Sequence, residues 1–221
     1  MIAKDLINYL IPPLHPTDKV QKAKQWMEEL RTSELPVIDG TRYQGLITEE
    51  ILFQQNLSHD LVEGYELEGI EAVINQNQHY YELLKLSNSE EVSLIAVLDD
   101  EENYLGVVAI EDVVEAFANT SSVRSPGAIL VLSMNAIDYS LSEVSRLIES
   151  NEAKILSSYV IPDQEDPNKV KLTLKINREE ANHIIATLER FGYVIEARFN
   201  ENSDDLSEKD RIDSLLRYLN F

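Results

Sequence analysis

The sequence contains two eight-residue segments of the same pattern, Gly45-Leu46-Ile47-Thr48-Glu49-Glu50-Ile51-Leu52 and Gly106-Val107-Val108-Ala109-Ile110-Glu111-Asp112-Val113. In each, a glycine is followed by apolar residues and then by acidic ones, and we call this pattern the phrase. Each copy follows an apolar run that ends in an acidic turn, at 35–40 in the first copy and at 94–100 in the second. Internal repetition of this kind indicates that one supersecondary unit is used twice. The phrase therefore predicts two similar units in the first half of the chain.

Outward from the phrase, each copy has the order helix, strand, strand, helix. In the first copy, we expect Thr17 to cap a helix with apolar residues every three or four positions, at Val20, Ala23, Met27 and Leu30. Strands are predicted at 36–38 and 43–47 around a turn at Asp39-Gly40, and Thr48 opens the closing helix. The second copy has the same order, with a helix carrying Tyr80, Leu83 and Leu84, strands at 93–98 and 104–109, and a closing helix at 112–118.

A stretch of small, polar and helix-breaking residues at 121–127 predicts a linker between domains. Beyond it, strands are expected at 128–132, 153–161, 170–176 and 193–199. Ser140 and Glu143 form the capping-box signature of one intervening helix, and Asn177 and Glu180 are expected to cap the other. The order β-α-β-β-α-β is that of a ferredoxin-like unit, so the predicted fold class is α+β.

The last segment, 201–221, begins with acidic and polar residues and then has the pattern of an amphipathic helix. Ser207 and Asp210 provide its cap signature, and one apolar stripe is formed by Ile212, Leu215, Leu216 and Leu219. Such a stripe packs on its own chain or forms a dimer contact, and the sequence leaves both open.

The composition excludes several classes of function. The 221 residues include 40 acidic and 19 basic side chains, a formal net charge of −21, so no nucleic-acid partner is expected. The absence of cysteine excludes disulfides, thiolate catalysis and thiolate-bound metal. The N-terminus is too polar for a secretory signal, and no apolar run is long enough to cross a bilayer. We therefore expect a cytoplasmic protein without membrane association.

Patterns of catalytic and metal-binding residues are also missing. His15, His59, His79 and His183 lie far apart, without the spacing of metal ligands. The acidic runs at 99–102 and 201–205 lack the spaced ligands and the glycine of an EF-hand loop. The sequence has no glycine-rich phosphate loop, nucleophile elbow or pair of catalytic carboxylates. The chain is predicted not to be an enzyme, with no catalytic residues and no metal.

The tandem units with their Gly-apolar-apolar-Thr-x-x-Asp phrase resemble a pair of CBS domains, a Bateman module, with repeats at 1–58 and 59–120. The unit at 128–200 resembles an ACT domain, and the combined order is similar to the acetoin-utilisation AcuB type of CBS and ACT protein. The resemblance implies a regulatory homodimer that modulates an unidentified protein partner. It also implies an adenine nucleotide (AMP, ATP or S-adenosylmethionine) in the CBS pair and an amino acid in the ACT-like unit, with no other cofactor.

In the family phrase, the hydroxyl donates to a phosphate at a helix N-terminus and the aspartate accepts from ribose hydroxyls. This chain divides that pair: the first copy keeps the hydroxyl as Thr48, and the second keeps the carboxylate as Asp112. The resemblance thus implies Thr48 and Asp112 as ligand-binding residues, with Pro36 and Val37 as the apolar wall of the first cleft. Helix capping is the alternative role of Thr48 and Asp112.

The ACT-like unit departs from its family in the turn 135–140, which lacks the glycine that relatives place against the ligand. Tyr139 is expected to fill that space. Asp138 and Ser140 are the polar candidates in the turn, with helix capping as their alternative role. The leading hypothesis is a metabolite sensor that modulates a partner. The alternative is a ligand-free dimeric assembly protein that has lost its binding residues.

Overall fold

A computed structural model describes residues 1–54 and 60–200 of the chain. The chain divides into two compact units, Met1–Asn119 and a second unit that begins at Thr120. Both units combine helices and strands, so the α+β class is confirmed. The helix predicted within 201–221 lies outside the described residues, and so does His59. Within the described ranges, no helix has the length and apolar character that a membrane span requires.

The first unit contains two copies of a helix, a hairpin and a closing helix. In the first copy, α1 (Val20–Leu30) precedes β1 (Glu34–Asp39) and β2 (Arg42–Thr48), and α2 (Glu49–Gln54) follows them. In the second copy, β3 (Val73–Asn75) and α3 (Tyr80–Glu90) precede β4 (Leu94–Leu98) and β5 (Tyr104–Ala109), and α4 (Ile110–Ala118) follows. The predicted order is confirmed in both copies. The sequence did not predict β3, because three residues are too few to show a period.

The two hairpins repeat each other down to their irregularities. β1 pairs antiparallel with β2 and β4 with β5, and the register shifts at equivalent places, after Val37 and after Val97. Each of these valines lies opposite the glycine that opens the phrase, Gly45 or Gly106. Each hairpin also has a parallel neighbour, because β3 pairs with β4 and Leu14 forms a parallel bridge to Val37. The repeated phrase therefore corresponds to a repeated backbone.

The cap predicted for α1 is wrong. The helix begins after Lys19 and has no side-chain cap, so Thr17 does not serve as one. Asp18 holds the preceding turn instead: its Oδ2 accepts hydrogen bonds from the backbone N of His15 at 2.9 Å and from Nζ of Lys22 at 2.8 Å. The apolar stripe of α1 is buried as predicted, at Val20, Ala23 and Met27.

Two tyrosines join the repeats. Tyr43 in β2 and Tyr104 in β5 stack with their ring centroids 6.4 Å apart and their planes 8° from parallel. Burial raises the pKa of both hydroxyls, because a phenolate would lose its hydration there. The hydroxyl of Tyr43 donates to the carbonyl of Gly69 at 2.9 Å. The buried hydroxyl of Tyr104 has no hydrogen-bond partner among the described residues.

Because only the Tyr43 hydroxyl has a hydrogen-bond partner among the described residues, removing each hydroxyl in turn should affect stability differently. Tyr43→Phe should lower the free energy of unfolding by about 1 kcal/mol, because the Gly69 carbonyl loses its donor. Tyr104→Phe should leave it unchanged or raise it by as much as about 1 kcal/mol, because a buried polar atom without a partner is removed. Urea unfolding followed by the fluorescence of Trp26, the single tryptophan, measures both variants. Equal losses in the two variants would contradict the expected asymmetry.

The second unit has the six predicted elements and one short helix. That helix, α5 (Ser121–Arg124), lies within the stretch predicted as a linker. The other elements are β6 (Ile129–Asn135), α6 (Leu141–Glu149), β7 (Ile155–Pro162), β8 (Lys169–Ile176), α7 (Asn182–Arg190) and β9 (Val194–Phe199). The sheet is antiparallel in the order β7-β8-β6-β9. This order and this connection are those of the split β-α-β, ferredoxin-like arrangement.

Both longer helices of the second unit pack on one face of its sheet. Their buried residues, among them Val144, Leu147, Ile184 and Leu188, form one cluster with Leu130, Leu132, Leu172, Leu174 and Ile176 of the sheet. Ser140 caps α6 as predicted, since its Oγ accepts from the N of Glu143 at 3.4 Å. The cap predicted for α7 is wrong, because this helix has no side-chain cap. Asn177 instead accepts from the N of Lys154 at 2.6 Å and so ties two strand ends together.

Candidate functional site

Thr48 lies at the junction of β2 and α2 and is 8% exposed. Its Oγ1 accepts a hydrogen bond of 3.1 Å from the backbone N of Ile51, which is the geometry of a helix cap. The same hydroxyl donates to Oε2 of Glu68 at 3.5 Å. The capping role predicted as its alternative is therefore confirmed, and the chain itself uses both the acceptor and the donor of this hydroxyl.

Asp112 lies in the first turn of α4 and is half-buried. Its Oδ2 accepts a hydrogen bond of 2.8 Å from Nδ2 of Asn8. Among the described residues, its Oδ1 has no donor and neither oxygen accepts from a backbone amide of α4. Asp112 is thus not a helix cap. Its carboxylate retains the capacity to accept further hydrogen bonds.

Equivalent segments cross the two phrases. In the first repeat, Leu46 and Glu68 each donate a backbone hydrogen bond to the other, at 2.7 and 3.0 Å. In the second repeat, the N of Asn8 donates to the carbonyl of Val107 at 2.8 Å. Leu46 and Val107 are the second residues of their phrases, so Glu68 and Asn8 hold equivalent positions. Each of these two residues directs its side chain to the polar residue of the phrase it crosses.

The close crossing explains why glycine opens each phrase. A Cβ on Gly45 would lie 2.8 Å from the backbone oxygen of Glu68, and a Cβ on Gly106 would lie 2.5 Å from Cγ2 of Ile7. Both glycines are visible in the sequence. Asn8 and Glu68 were missed, because they share no chemistry and lie outside the phrase. Only the fold brings them to Asp112 and Thr48.

Pro36 and Val37, the predicted apolar wall, are both buried in β1. Val37 is 1% exposed and belongs to the core cluster of the first repeat. The carbonyl of Pro36 accepts from the N of Leu14 at 2.8 Å. In the first repeat, the structure thus brings Thr48 beside Glu68 and places Pro36 and Val37 within the packed sheet.

Acidic side chains begin both closing helices. Glu49 and Glu50 occupy the first turn of α2, and Glu111 and Asp112 that of α4. Carboxylates at a helix N-terminus are stabilised by the helix dipole and stand where a phosphate would otherwise bind. The negative charge at the start of both closing helices therefore makes a polyphosphate electrostatically unfavourable there.

Three clefts are formed by described residues, and neither Thr48 nor Asp112 lines any of the three. One cleft of about 590 Å³ lies in the first repeat and is lined by residues of α1, of α2 and of the connection 31–33, including Lys24, Arg31 and Phe53. Another of about 460 Å³ lies in the second unit, lined by the end of β6, the turn that follows it and the start of β9. A third of about 510 Å³ is lined by the connections before β7 and α7.

The cleft of about 460 Å³ combines charges of both signs, since Asp138, Glu143 and Lys169 line it. Nδ2 of Asn135 donates to Oδ2 of Asp138 at 2.8 Å, which orients that carboxylate. Burial raises the pKa of Tyr193, and the neighbouring Glu143 carboxylate adds to the effect, so the phenol stays a neutral donor. An ammonium and a carboxylate on one small molecule would both find partners here.

The other residues of the turn 135–140 serve the chain itself or face outward. Ser140 is used as the cap of α6. The prediction that Tyr139 fills the ligand space is wrong, because its side chain is 37% exposed and does not line this cleft. Of the two polar candidates in the turn, Asp138 is therefore the one that reaches the cleft.

Within residues 1–54 and 60–200, no three histidine, aspartate or glutamate side chains lie close enough together to bind a metal ion. His79 has a structural role instead. Its Nδ1 accepts from the N of Tyr81 at 3.4 Å and caps α3.

No protein-family model matches the chain. A CBS-domain pair/ACT-domain protein from Thermotoga maritima is similar at 20% identity, with a TM-score of 0.47 over 53% of this chain and 96% of that one. The CBS domains of a transcriptional regulator from Streptococcus pneumoniae are similar at 18% identity, with a TM-score of 0.45 over 52% and 98%. The CBS-pair protein CBSX2 from Arabidopsis thaliana, solved in complex with AMP, is similar at 16% identity, with a TM-score of 0.44 over 52% and 95%. These structural neighbours are CBS-domain proteins. At these identities and TM-scores, the likeness concerns the fold.

Proposed function

We propose that the first unit is a CBS-domain pair that senses an adenosine-type metabolite, and that the protein is a non-enzymatic regulatory homodimer that modulates a partner. The repeated hairpins, the repeated phrase and the equivalent crossing segments support this assignment. The ferredoxin-like topology of the second unit supports an ACT-like module after the pair, the order of the acetoin-utilisation type.

One observation carries the proposal, the contact between Asp112 and Asn8. The carboxylate is half-exposed, and a neutral amide donor already binds one of its oxygens at 2.8 Å. The vicinal hydroxyls of a ribose are neutral donors of the same kind, and an ionised carboxylate has about four acceptor sites for them. A ribose would therefore add to the amide of Asn8 or replace it.

The acidic surroundings select among adenosine derivatives. Two like charges at 4 Å repel by roughly 1 to 4 kcal/mol between bulk water and a protein surface. Glu111 and Asp112 stand in the first turn of the helix where a phosphate would bind. We therefore expect affinity to fall from S-adenosylmethionine, which carries a sulfonium cation, through adenosine and AMP to ATP.

Asp112→Ala tests the site. A ligand at about a hundred times its dissociation constant should raise the melting temperature of the wild type by roughly 5 to 10 °C. The substitution should abolish that rise, because the ribose acceptor is gone. The free protein should lose no more than about 4 °C, since a single hydrogen bond is removed. Thermal denaturation with S-adenosylmethionine, adenosine, AMP and ATP, followed by calorimetric titration, measures both effects.

Glu115→Ala is the matched control, because it removes an exposed carboxylate from the same helix, and it should keep the full ligand shift. Asn8→Ala should also keep the shift, because it removes the competing donor and leaves the carboxylate. A ligand shift that survives in Asp112→Ala would contradict the assigned site. A stronger response to ATP than to S-adenosylmethionine would contradict the charge argument.

The cleft of the second unit supports a second ligand, an amino acid. Asp138 and Glu143 suit its ammonium group and Lys169 its carboxylate. A thermal-shift response to an amino acid should persist in Asp112→Ala and disappear in Lys169→Ala. Loss of the response in both variants would place the amino acid elsewhere.

Thr48 favours the alternative function, a ligand-free assembly protein. Its buried hydroxyl already accepts from the N of Ile51 and donates to Glu68, and Pro36 and Val37 are packed in the sheet. This alternative predicts a stable dimer by light scattering and no response to any adenosine derivative or amino acid. A saturable, specific ligand shift would rule it out.

A further inference from the structure

The amide side chain of Asn8 is bound at both of its ends. Its Nδ2 donates to Oδ2 of Asp112 at 2.8 Å, and its Oδ1 accepts from the backbone N of Leu10 at 3.0 Å. The second bond closes an Asx turn, in which an asparagine side chain binds the backbone two residues further along the chain. One amide group therefore connects the carboxylate of the phrase to the turn 8–10.

The chain is anchored on both sides of this turn. Ile7 and Ile11 are partly buried and pack against core residues of the first unit. Between them, the side chains of Tyr9 and Leu10 are 78% and 79% exposed. Exposed side chains with few buried contacts cost little free energy to rearrange. A change of shape confined to residues 8–10 would therefore leave the core intact.

Asn8 and a ribose require the same acceptor. An ionised carboxylate only accepts hydrogen bonds, and the amide group of Asn8 and a hydroxyl both donate them. Two neighbouring donors on one ligand bind a carboxylate best when both of its oxygens are available, and Oδ2 of Asp112 is already occupied. Asp112 is also partly buried, which limits the directions from which a ligand can reach this oxygen. Binding of both ribose hydroxyls therefore requires the amide of Asn8 to leave.

We propose that Asn8 is an intramolecular competitor for the ribose site of Asp112, and that a bound adenosine derivative displaces its amide and so releases the turn 8–10. The inference rests on the proposed ribose site and adds its regulation. In the free protein, Asp112 holds the amide of Asn8, and this amide holds the N of Leu10. In the liganded protein, the ribose occupies Asp112, and Tyr9 and Leu10 adopt a new arrangement at the surface.

A second asparagine of the same unit provides a matched control. Oδ1 of Asn75 accepts from the N of Asn77 at 3.0 Å, and its Nδ2 donates to Oδ1 of Asp100 at 2.9 Å. Asn75 thus makes the same two bonds as Asn8, an Asx turn and a contact to a carboxylate. Asp100, however, lies between β4 and β5 and not in the phrase. Substituting Asn75 therefore removes the same chemistry without freeing the proposed site.

Calorimetric titration of the full chain with S-adenosylmethionine and with adenosine tests the competition. When a ligand must displace an internal partner, its apparent affinity falls to the fraction of molecules in which that partner is released. Asn8→Ala should therefore bind both ligands about tenfold more tightly than the wild type, because a hydrogen bond to an ionised carboxylate is formed in most molecules. Asn75→Ala should stay within about twofold of the wild type. Unchanged or weaker binding by Asn8→Ala would show that the amide does not compete, and would overturn the proposal.

Amide hydrogen exchange at Leu10, measured by NMR, tests the release of the turn. Saturating S-adenosylmethionine should raise the exchange rate of this amide at least about fivefold, because its acceptor on Asn8 has moved away. Without ligand, Asp112→Ala should raise the rate as well, because Asn8 loses its anchor. In Asn8→Ala, the rate should already be high and should not respond to ligand. The amide of Asn77, whose acceptor is Asn75, should keep its rate in all of these samples.

The two experiments separate this proposal from the function on which it rests. If S-adenosylmethionine binds at Asp112 and the Leu10 amide does not respond, the ribose site stands and the release of the turn is wrong. An unchanged Leu10 rate in ligand-free Asp112→Ala would likewise overturn the connection through Asn8. If neither the wild type nor Asn8→Ala binds any adenosine derivative, the proposed function fails, and this proposal fails with it.

Discussion

Gly127→Ala should cause the largest loss of stability of any single substitution considered for the second unit, roughly 4 kcal/mol or more. A Cβ at this position would lie 1.9 Å from the backbone oxygen of Ile176, far inside the roughly 3.3 Å of a close C···O contact. The backbone cannot simply move away. The adjacent Ala128 donates to the carbonyl of Arg178 at 2.8 Å and accepts from the N of Ile176 at 2.9 Å, which starts the pairing of β6 with β8.

The measurement uses the position of the single tryptophan, Trp26, in the first unit. In urea, the unfolding of the second unit, followed by circular dichroism, should shift to lower denaturant concentration. The Trp26 fluorescence transition should stay in place. Gly192→Ala is the control in the same unit, because Gly192 also has a positive φ but a Cβ there would meet nothing within 4 Å. It should cost only the roughly 1 to 2 kcal/mol of a left-handed residue. Equal losses in the two variants would contradict the steric explanation.

The parts of the fold that were predictable have strong local patterns. The repeated phrase indicated both hairpins, and the alternation in 170–176 indicated β8, because burial on one face leaves a visible period. Ser140 was recognised as a cap because the capping box is a signature within four residues. Such features depend on neighbours in the chain, and one sequence contains them in full.

The features that sequence analysis missed depend on residues far apart in the chain. Thr17 has the chemistry of a cap, but α1 begins after Lys19, because Asp18 already organises the turn. Asn8 was not a candidate for the site, since 104 positions separate it from Asp112. No period, motif or composition marks a contact of that kind. The division of roles between Thr48, used as a cap, and Asp112, held by Asn8, therefore became visible only in the structure.

Glu34→Ala should lower the free energy of unfolding of the first unit by roughly 3 kcal/mol, because it leaves one buried and one partly buried amide without this acceptor. Glu34 begins β1 and is 9% exposed, and sequence analysis gave no reason to single it out. Its carboxylate accepts from the N of Ser93 at 3.0 Å and from the N of Leu94 at 2.9 Å, at the start of β4 in the other repeat. One side chain of the first repeat thus satisfies two backbone donors of the second. Urea unfolding followed by Trp26 fluorescence measures the loss.

Two further variants separate this contact from a general effect of charge. Glu34→Gln keeps one acceptor oxygen and a similar volume, so it should lose about half as much stability as Glu34→Ala. Glu28→Ala removes an exposed carboxylate from α1 and should change the free energy of unfolding by less than about 0.5 kcal/mol. If Glu34→Ala were as mild as Glu28→Ala, the amides of Ser93 and Leu94 would have another acceptor, and the contact would not hold the repeats together. If Glu34→Gln were as damaging as Glu34→Ala, the charge of the carboxylate, rather than its number of acceptor oxygens, would carry the interaction between the repeats.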